Sequence, residues 1–168
     1  KYYLMAPGPT PVPSNVLLAM AQPLLHHRTP EYEALFLEVR AGLKRLFQTS
    51  QDVIPFTSSG TGALEAAVCN TLSAGDTVLV LRAGKFGERW EEICRTYGVT
   101  VIPLDAPFGQ TVPASAFAEA LGRHPDVKAV LMQHSESSTG VLHDVKGVAA
   151  VTRATGAILV VDAVSSLG

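Results

Sequence analysis

Cysteine is scarce. Cys69 and Cys94 are the only two, they share no CxxC spacing, and both fall in helix-like segments. That excludes a disulfide framework, and two buried thiols in a reducing cytosol are expected. No block of Lys or Arg occurs and the net charge is −2, which argues against nucleic acid or an anionic membrane surface as partner. No apolar run approaches the length of a membrane span, and the opening residues hold no apolar signal region, so a cytoplasmic location is expected. The histidines His26, His27, His124, His134 and His143 show no ligand spacing such as HExxH, so no metal is expected. There is neither a GxxxxGK[ST] phosphate loop nor a GxSxG elbow for a serine nucleophile.

What is present is apolar residue: 47% of 168 positions, enough for one sizeable core. The opening, Ala6-Pro7-Gly8-Pro9-Thr10-Pro11-Val12-Pro13, cannot be regular structure, because proline removes donors and restricts its neighbours. It reads as an extended arm, followed by a short helix from Ser14, as N-cap, through Met20. Tyr32, Leu35, Phe36, Val39, Leu43, Leu46 and Phe47 then recur at three- and four-residue steps, the spacing of a longer amphipathic helix.

From there the pattern alternates. Apolar runs at Val53–Phe56, Thr77–Leu81, Val99–Leu104, Val127–Met132 and Ala157–Val161 predict strands. Gly62–Leu72, Glu88–Tyr97, Ala114–Leu121 and Val145–Thr155 predict helices. Continuous rather than alternating apolar runs suit strands covered on both faces. The order predicts an α/β fold with a mostly parallel, doubly wound sheet.

In such sheets ligands bind outside the carboxyl ends of the strands. The unusual residues gather there, at Thr57–Gly62, Gly84–Gly87, His134–Gly140 and Asp162–Ser166. Ser59-Gly60-Thr61-Gly62 leads into a helix, whose N-terminus can hold a phosphate; a capped helix with glycines for tight packing is the alternative. Gly60 and Gly62 also begin a dinucleotide fingerprint, but Glu65 stands where its third glycine belongs. No acidic residue ends the next strand, although Arg82 there could meet an NADP phosphate. Asp162 ends an otherwise apolar run, where a carboxylate is costly unless paired. It reads as a turn cap or as the partner of a cationic ligand nitrogen.

Taken in order along the whole chain, these segments resemble the class V aminotransferases of the alanine–glyoxylate and serine–pyruvate type. The resemblance runs through Pro7-Gly8-Pro9-Thr10-Pro11, His27-Arg28-Thr29-Pro30-Glu31 and Ser59-Gly60-Thr61-Gly62-Ala63-Leu64-Glu65-Ala66. It continues through Gly84-Lys85-Phe86-Gly87-Glu88-Arg89-Trp90, Glu136-Ser137-Ser138-Thr139-Gly140 and Val161-Asp162-Ala163-Val164-Ser165-Ser166-Leu167-Gly168. It implies pyridoxal 5'-phosphate (PLP) as cofactor and the fold of type I PLP-dependent transferases. Residues 1–30 would be an N-terminal arm and 31–168 part of the large PLP-binding domain. By the same resemblance Ser59, Gly60 and Thr61 form the phosphate cup, Phe86 stacks on the pyridine ring and Ser137 meets its phenolic oxygen. Asp162 pairs with the ring nitrogen, Val164 packs under the ring, and the backbone at Gly8 lies near the substrate carboxylate.

The implied reaction moves an amino group from a small amino acid to a 2-oxo acid such as glyoxylate or pyruvate, in a homodimer. A PLP-dependent lyase, an aminoethylphosphonate transaminase or a non-catalytic binding module of the same fold are the alternatives. Lys1, Lys44, Lys85, Lys128 and Lys146 do not match the family's cofactor-holding lysine, which the resemblance sets downstream of Gly168. The chain is therefore expected to be an N-terminal portion, without the small C-terminal domain, and to be inactive by itself.

Overall fold

Four of the five predicted runs become strands of one parallel sheet: β1 (Thr77–Arg82), β2 (Thr100–Asp105), β3 (Val127–Gln133) and β6 (Ile158–Asp162). Their order across the sheet is β2-β1-β3-β6. A two-stranded antiparallel hairpin, β4 (Ser135–Glu136) with β5 (Val141–Leu142), follows β3 directly. The computed structural model describes residues 3–168, so Lys1 and Tyr2 of the expected arm lie outside the described residues. It divides into two units, one of residues up to Thr57 with Gly168 and the other of Ser58–Leu167.

The larger unit has two apolar layers, one on each face of the sheet. Helices α3 (Gly60–Thr71) and α4 (Lys85–Thr96) bring Leu64, Val68, Trp90, Ile93 and Cys94 onto Val78, Val80, Ala129 and Leu131. Helices α5 (Ala114–Arg123) and α6 (Val145–Arg153) bring Phe117, Ala120, Leu121 and Val148 onto Leu79, Leu81, Val130 and Met132. Successive strand residues point to opposite faces, so burial on both sides demands the unbroken apolar runs seen in β1 and β3. The doubly wound arrangement is as expected. The chain steps from β1 to β2 on one side, then crosses to β3 on the other. That places a topological switch point between the carboxyl ends of β1 and β3.

The smaller unit holds α1 (Ser14–Met20) and α2 (Pro30–Leu46). Pro13, not Ser14, occupies the N-cap of α1, with no side-chain cap bond; Ser14 is its first helical residue. Thr29 caps α2, its Oγ1 accepting from the Tyr32 N–H at 3.4 Å, with Pro30 in the first turn. The apolar stripe of α2 is present, but none of its residues is buried.

Two further expectations fail. Val53–Phe56 forms no strand: Ile54 is 79% and Phe56 54% exposed. Apolar character alone does not make a strand; its backbone groups need a neighbour, and none pairs with this run among the described residues. Cys94 is buried as expected, but Cys69 is exposed on α3. Burial, with Glu91 nearby, pushes the Cys94 thiol up to about 11.

Candidate functional site

All four predicted corners meet in one cleft at the carboxyl ends of the strands. Gly60 and Leu64 contribute from α3, Phe86 from α4, Ser135 and Ser137 from the hairpin, and Asp162, Val164 and Ser165 from the end of β6. The first and last corners approach closely, since a Cβ on Gly60 would lie 3.5 Å from Val164 Cγ2. Ser59 and Thr61 flank the cleft without lining it. Gly8 belongs to the smaller unit, where it is exposed. A more open hollow beside α6, lined by His134, His143, Lys146 and Arg153 among others, shares only His134 with the predicted corners.

At the α3 corner, Ser59 is the N-cap and its Oγ accepts from the Gly62 N–H at 3.4 Å. The helix begins at Gly60, two residues earlier than expected. The N–H groups of Gly60 and Thr61 sit in its first turn, where no intrahelical carbonyl can reach them. With the positive end of the helix dipole they suit an anionic group. A Cβ at Gly62 would lie 1.8 Å from Ser58 Oγ, so that hydroxyl would have to turn away to admit a side chain.

The α4 corner is held from outside its own helix. Gly84 occupies the N-cap position and offers no side chain. Glu136, buried in the hairpin, supplies the missing acceptors: its Oε2 takes the N–H of Phe86 at 3.1 Å and of Gly87 at 3.2 Å. Its Oε1 accepts from the Ser138 hydroxyl at 2.6 Å, and Ser138 Oγ accepts from the Lys85 N–H at 3.0 Å. A Cβ on Gly84 would come within 2.4 Å of Glu136 Cγ, so glycine is needed for this approach. The result is a Phe86 ring held at the cleft mouth, 40% exposed, on a fixed backbone. Sequence reading singled out Phe86 but not its clamp. The available signal was a helix start with no capping side chain, together with a lone carboxylate among hydroxyl residues.

Asp162 is the last residue of β6 and partly buried, and its Oδ1 accepts from the Val164 N–H at 3.0 Å. The turn-cap role and a place in the cleft therefore coexist. Val164 is 73% exposed, an apolar side chain left free beside the carboxylate. Arg82 is not available to a nucleotide phosphate. Its guanidinium holds Asp105, its register partner on β2, through two bonds of 2.7 and 2.9 Å, and Glu91 at 2.6 Å. These carboxylates, Asp105 foremost, push its pKa further above the ordinary arginine value. Lys85 is likewise engaged on the surface, with Glu88 at 2.7 Å, and Lys128 and Lys146 are exposed.

Open N–H groups, an aromatic face, hydroxyls and a single carboxylate make a donor set for a flat ligand carrying an anion and a cationic ring nitrogen. The residues present fit PLP on that ground. Among the described residues no three of His, Cys, Asp and Glu are grouped to hold a metal ion, and no helix is long and apolar enough to cross a membrane.

The family model for class-V aminotransferases matches residues 2–168. A soluble hydrogenase small subunit from Synechococcus sp. (strain PCC 6716) is 45% identical, over 100% of this chain and 44% of that protein. An L-aspartate–glyoxylate aminotransferase from Paracoccus denitrificans is 39% identical, over 98% of this chain and 43% of that one. The solved structure of an alanine–glyoxylate aminotransferase from Nostoc sp. superposes with a TM-score of 0.92 at 34% identity, over 97% of this chain and 43% of that chain. The chain thus spans less than half the length of the relatives it matches. Motif order, sheet topology and family model agree from one end of the described residues to the other, and the chain belongs to the class-V aminotransferases.

Proposed function

We propose that the enzyme carrying this chain uses PLP to transfer an amino group from a small amino acid to a 2-oxo acid such as glyoxylate or pyruvate. The observation that carries this reading is the cleft itself, where one carboxylate, one aromatic ring and one open helix N-terminus converge at the switch point. That donor set favours it over the hydrogenase named for the Synechococcus relative. The names of the Paracoccus and Nostoc relatives support glyoxylate as acceptor.

Ser59, Gly60 and Thr61 hold the phosphate through first-turn N–H groups and hydroxyls. Phe86 covers one ring face, and Val164 packs against the other. Ser137 offers its hydroxyl to the phenolic oxygen. Asp162 holds a proton at the ring nitrogen, because a carboxylate beside a cationic nitrogen favours the protonated form. When bound, PLP supplies the electron sink that amino-group transfer requires. The backbone at Gly8 receives the substrate carboxylate. The exposed apolar stripe on α2 supports a homodimer, and the unpaired Cys69 and Cys94 support a cytoplasmic location.

The test is half-reaction kinetics of that enzyme with serine, alanine and aspartate as donors, followed by glyoxylate or pyruvate. Asp162→Asn, compared at matched PLP occupancy, should slow loss of the donor's α-proton by orders of magnitude while leaving the phosphate grip intact. Equal rates would reduce Asp162 to a turn cap. Failure of every donor to react would remove the transfer reading.

A further inference from the structure

A fully buried amide stands beside the carboxylate at the centre of the proposed function. Gln133 ends β3 at 0% exposure, and neither its Nε2 nor its Oε1 has a hydrogen-bond partner among the described residues. A carboxamide unsatisfied at both ends opposes folding and calls for a reason.

Its direction follows from strand alternation. Ala129 and Leu131 pack in the layer of α3 and α4, so Gln133, two residues further along, faces that layer too. In the parallel register Gln133 pairs with Asp162, just as Leu131 pairs with Val160 in the same layer. Amide and carboxylate therefore project from neighbouring strands on one side of the sheet, at the end where the cleft opens. Asp162 uses Oδ1 for Val164; its Oδ2 has no partner among the described residues. Trp90 belongs to the same layer, and its Nε1 is buried and has no partner among the described residues either. A carboxamide can serve both kinds of partner, because Nε2 donates to a carboxylate while Oε1 accepts from an indole N–H.

We infer that Gln133 is a positioning residue for Asp162. Its Nε2–H donates to Asp162 Oδ2 in the cofactor-loaded enzyme, while its Oε1 accepts from Trp90 Nε1–H. Val164 N–H and Gln133 Nε2–H then hold the carboxylate from two sides and fix its plane toward the ring nitrogen. Methionine, similar in length but without the donor, would leave that plane free. The inference rests on the reading of Asp162 as partner of that nitrogen.

The experiment is a double-mutant cycle on PLP dissociation in the enzyme carrying this chain, using wild type, Gln133→Met, Asp162→Asn and the double variant. It is joined by the ¹⁵N signal of ring-labelled PLP followed against pH. Gln133→Met should weaken PLP binding roughly tenfold, as for a lost bond to a charged acceptor, and have little effect once Asp162 is Asn. The pH at which the ring nitrogen loses its proton should fall by about one unit. The cofactor-free protein should keep or raise its melting temperature, because there the unbonded amide opposes folding; Gln133→Leu should reproduce the coupling with different packing. If Gln133→Met left affinity unchanged, or weakened it equally in both backgrounds, Gln133 would be a packing residue and the inference would fail. Loss of the protonated ¹⁵N signal in Asp162→Asn would still uphold the reading of the site. If Asp162→Asn altered neither signal nor affinity, that reading would fall, and this inference with it.

Discussion

Glu136 caps a helix to which it does not belong: its Oε2 accepts the N–H of Phe86 at 3.1 Å, across 50 residues of sequence. One buried carboxylate thereby sets where the aromatic ring of the cleft stands. Glu136→Gln keeps the shape but replaces a charged acceptor of several bonds with a neutral amide. Bonds to a charged group contribute about 1.5–3 kcal/mol each. The substitution should lower stability by at least about 1.5 kcal/mol, read from urea unfolding of the cofactor-free enzyme. Ser138→Ala, which removes only the relay to Lys85, should cost less.

Phe86 should act on cofactor affinity more than on folding, because much of its ring faces solvent. Phe86→Trp should retain PLP binding. Phe86→Ala should weaken it by about 0.5–1.5 kcal/mol for stacking, plus the lost burial. Titration by fluorescence alongside melting curves separates the two. A stability loss in the PLP-free protein equal to that in the bound form would make Phe86 ordinary core.

Gly87 lets α4 lie against β1. A Cβ there would meet Leu81 O at 2.4 Å and Arg82 Cα at 2.9 Å, both backbone atoms that cannot swing aside. Gly87→Ala should destabilise by about 1–3 kcal/mol as overpacking. Gly122 in α5 meets nothing within 4 Å, so Gly122→Ala should stabilise by about 0.5–1 kcal/mol through helix propensity alone. Opposite signs for the two substitutions in one denaturation series test the packing directly.

His143 is 3% exposed, neither ring nitrogen has a partner among the described residues, and its pKa is lowered, chiefly by burial. In the unfolded chain the imidazole takes up its proton near the ordinary value of about 6.5, and in the native state only at lower pH. As pH falls through that interval the unfolded state binds more protons, so stability declines. His143→Leu should flatten this acid-side slope, measured as melting temperature between about pH 7.5 and 5. An unchanged slope would assign acid sensitivity to other groups.

Much of this was legible because sheet burial imposes its pattern directly on the residues. Thr77–Leu81 and Val127–Met132 are apolar on both parities, and each becomes a strand to within one residue of the expected ends. Asp162 stood out as the polar residue where such a run ends, whereas Phe86 was singled out by the family resemblance. Val53–Phe56 misled because apolar composition records a need for cover, not a hydrogen-bonding neighbour. The hairpin Ser135–Glu136 with Val141–Leu142 is too short to show any period. The clamp by Glu136 depends on β1–β3 pairing and the place of Gln133 beside Asp162 on β3–β6 pairing, neither of which any local spacing records.

The strand order also shapes how the chain assembles. β1 pairs with β2, which follows it directly, but its other edge waits for β3, which arrives only after α5. Until then one side of an almost wholly apolar strand presents unpaired N–H and C=O groups, a template for another chain. The same insertion of β3 carries in Gln133 and the Glu136 hairpin. Closure of that aggregation-prone edge and docking of the Glu136 clamp on α4 are therefore one event, of long loop closure and slow by that measure, and β6 then adds the Asp162 corner. A substitution that delays β3 pairing would be felt first as lost yield of folded protein, before any change in the chemistry of the molecules that do fold.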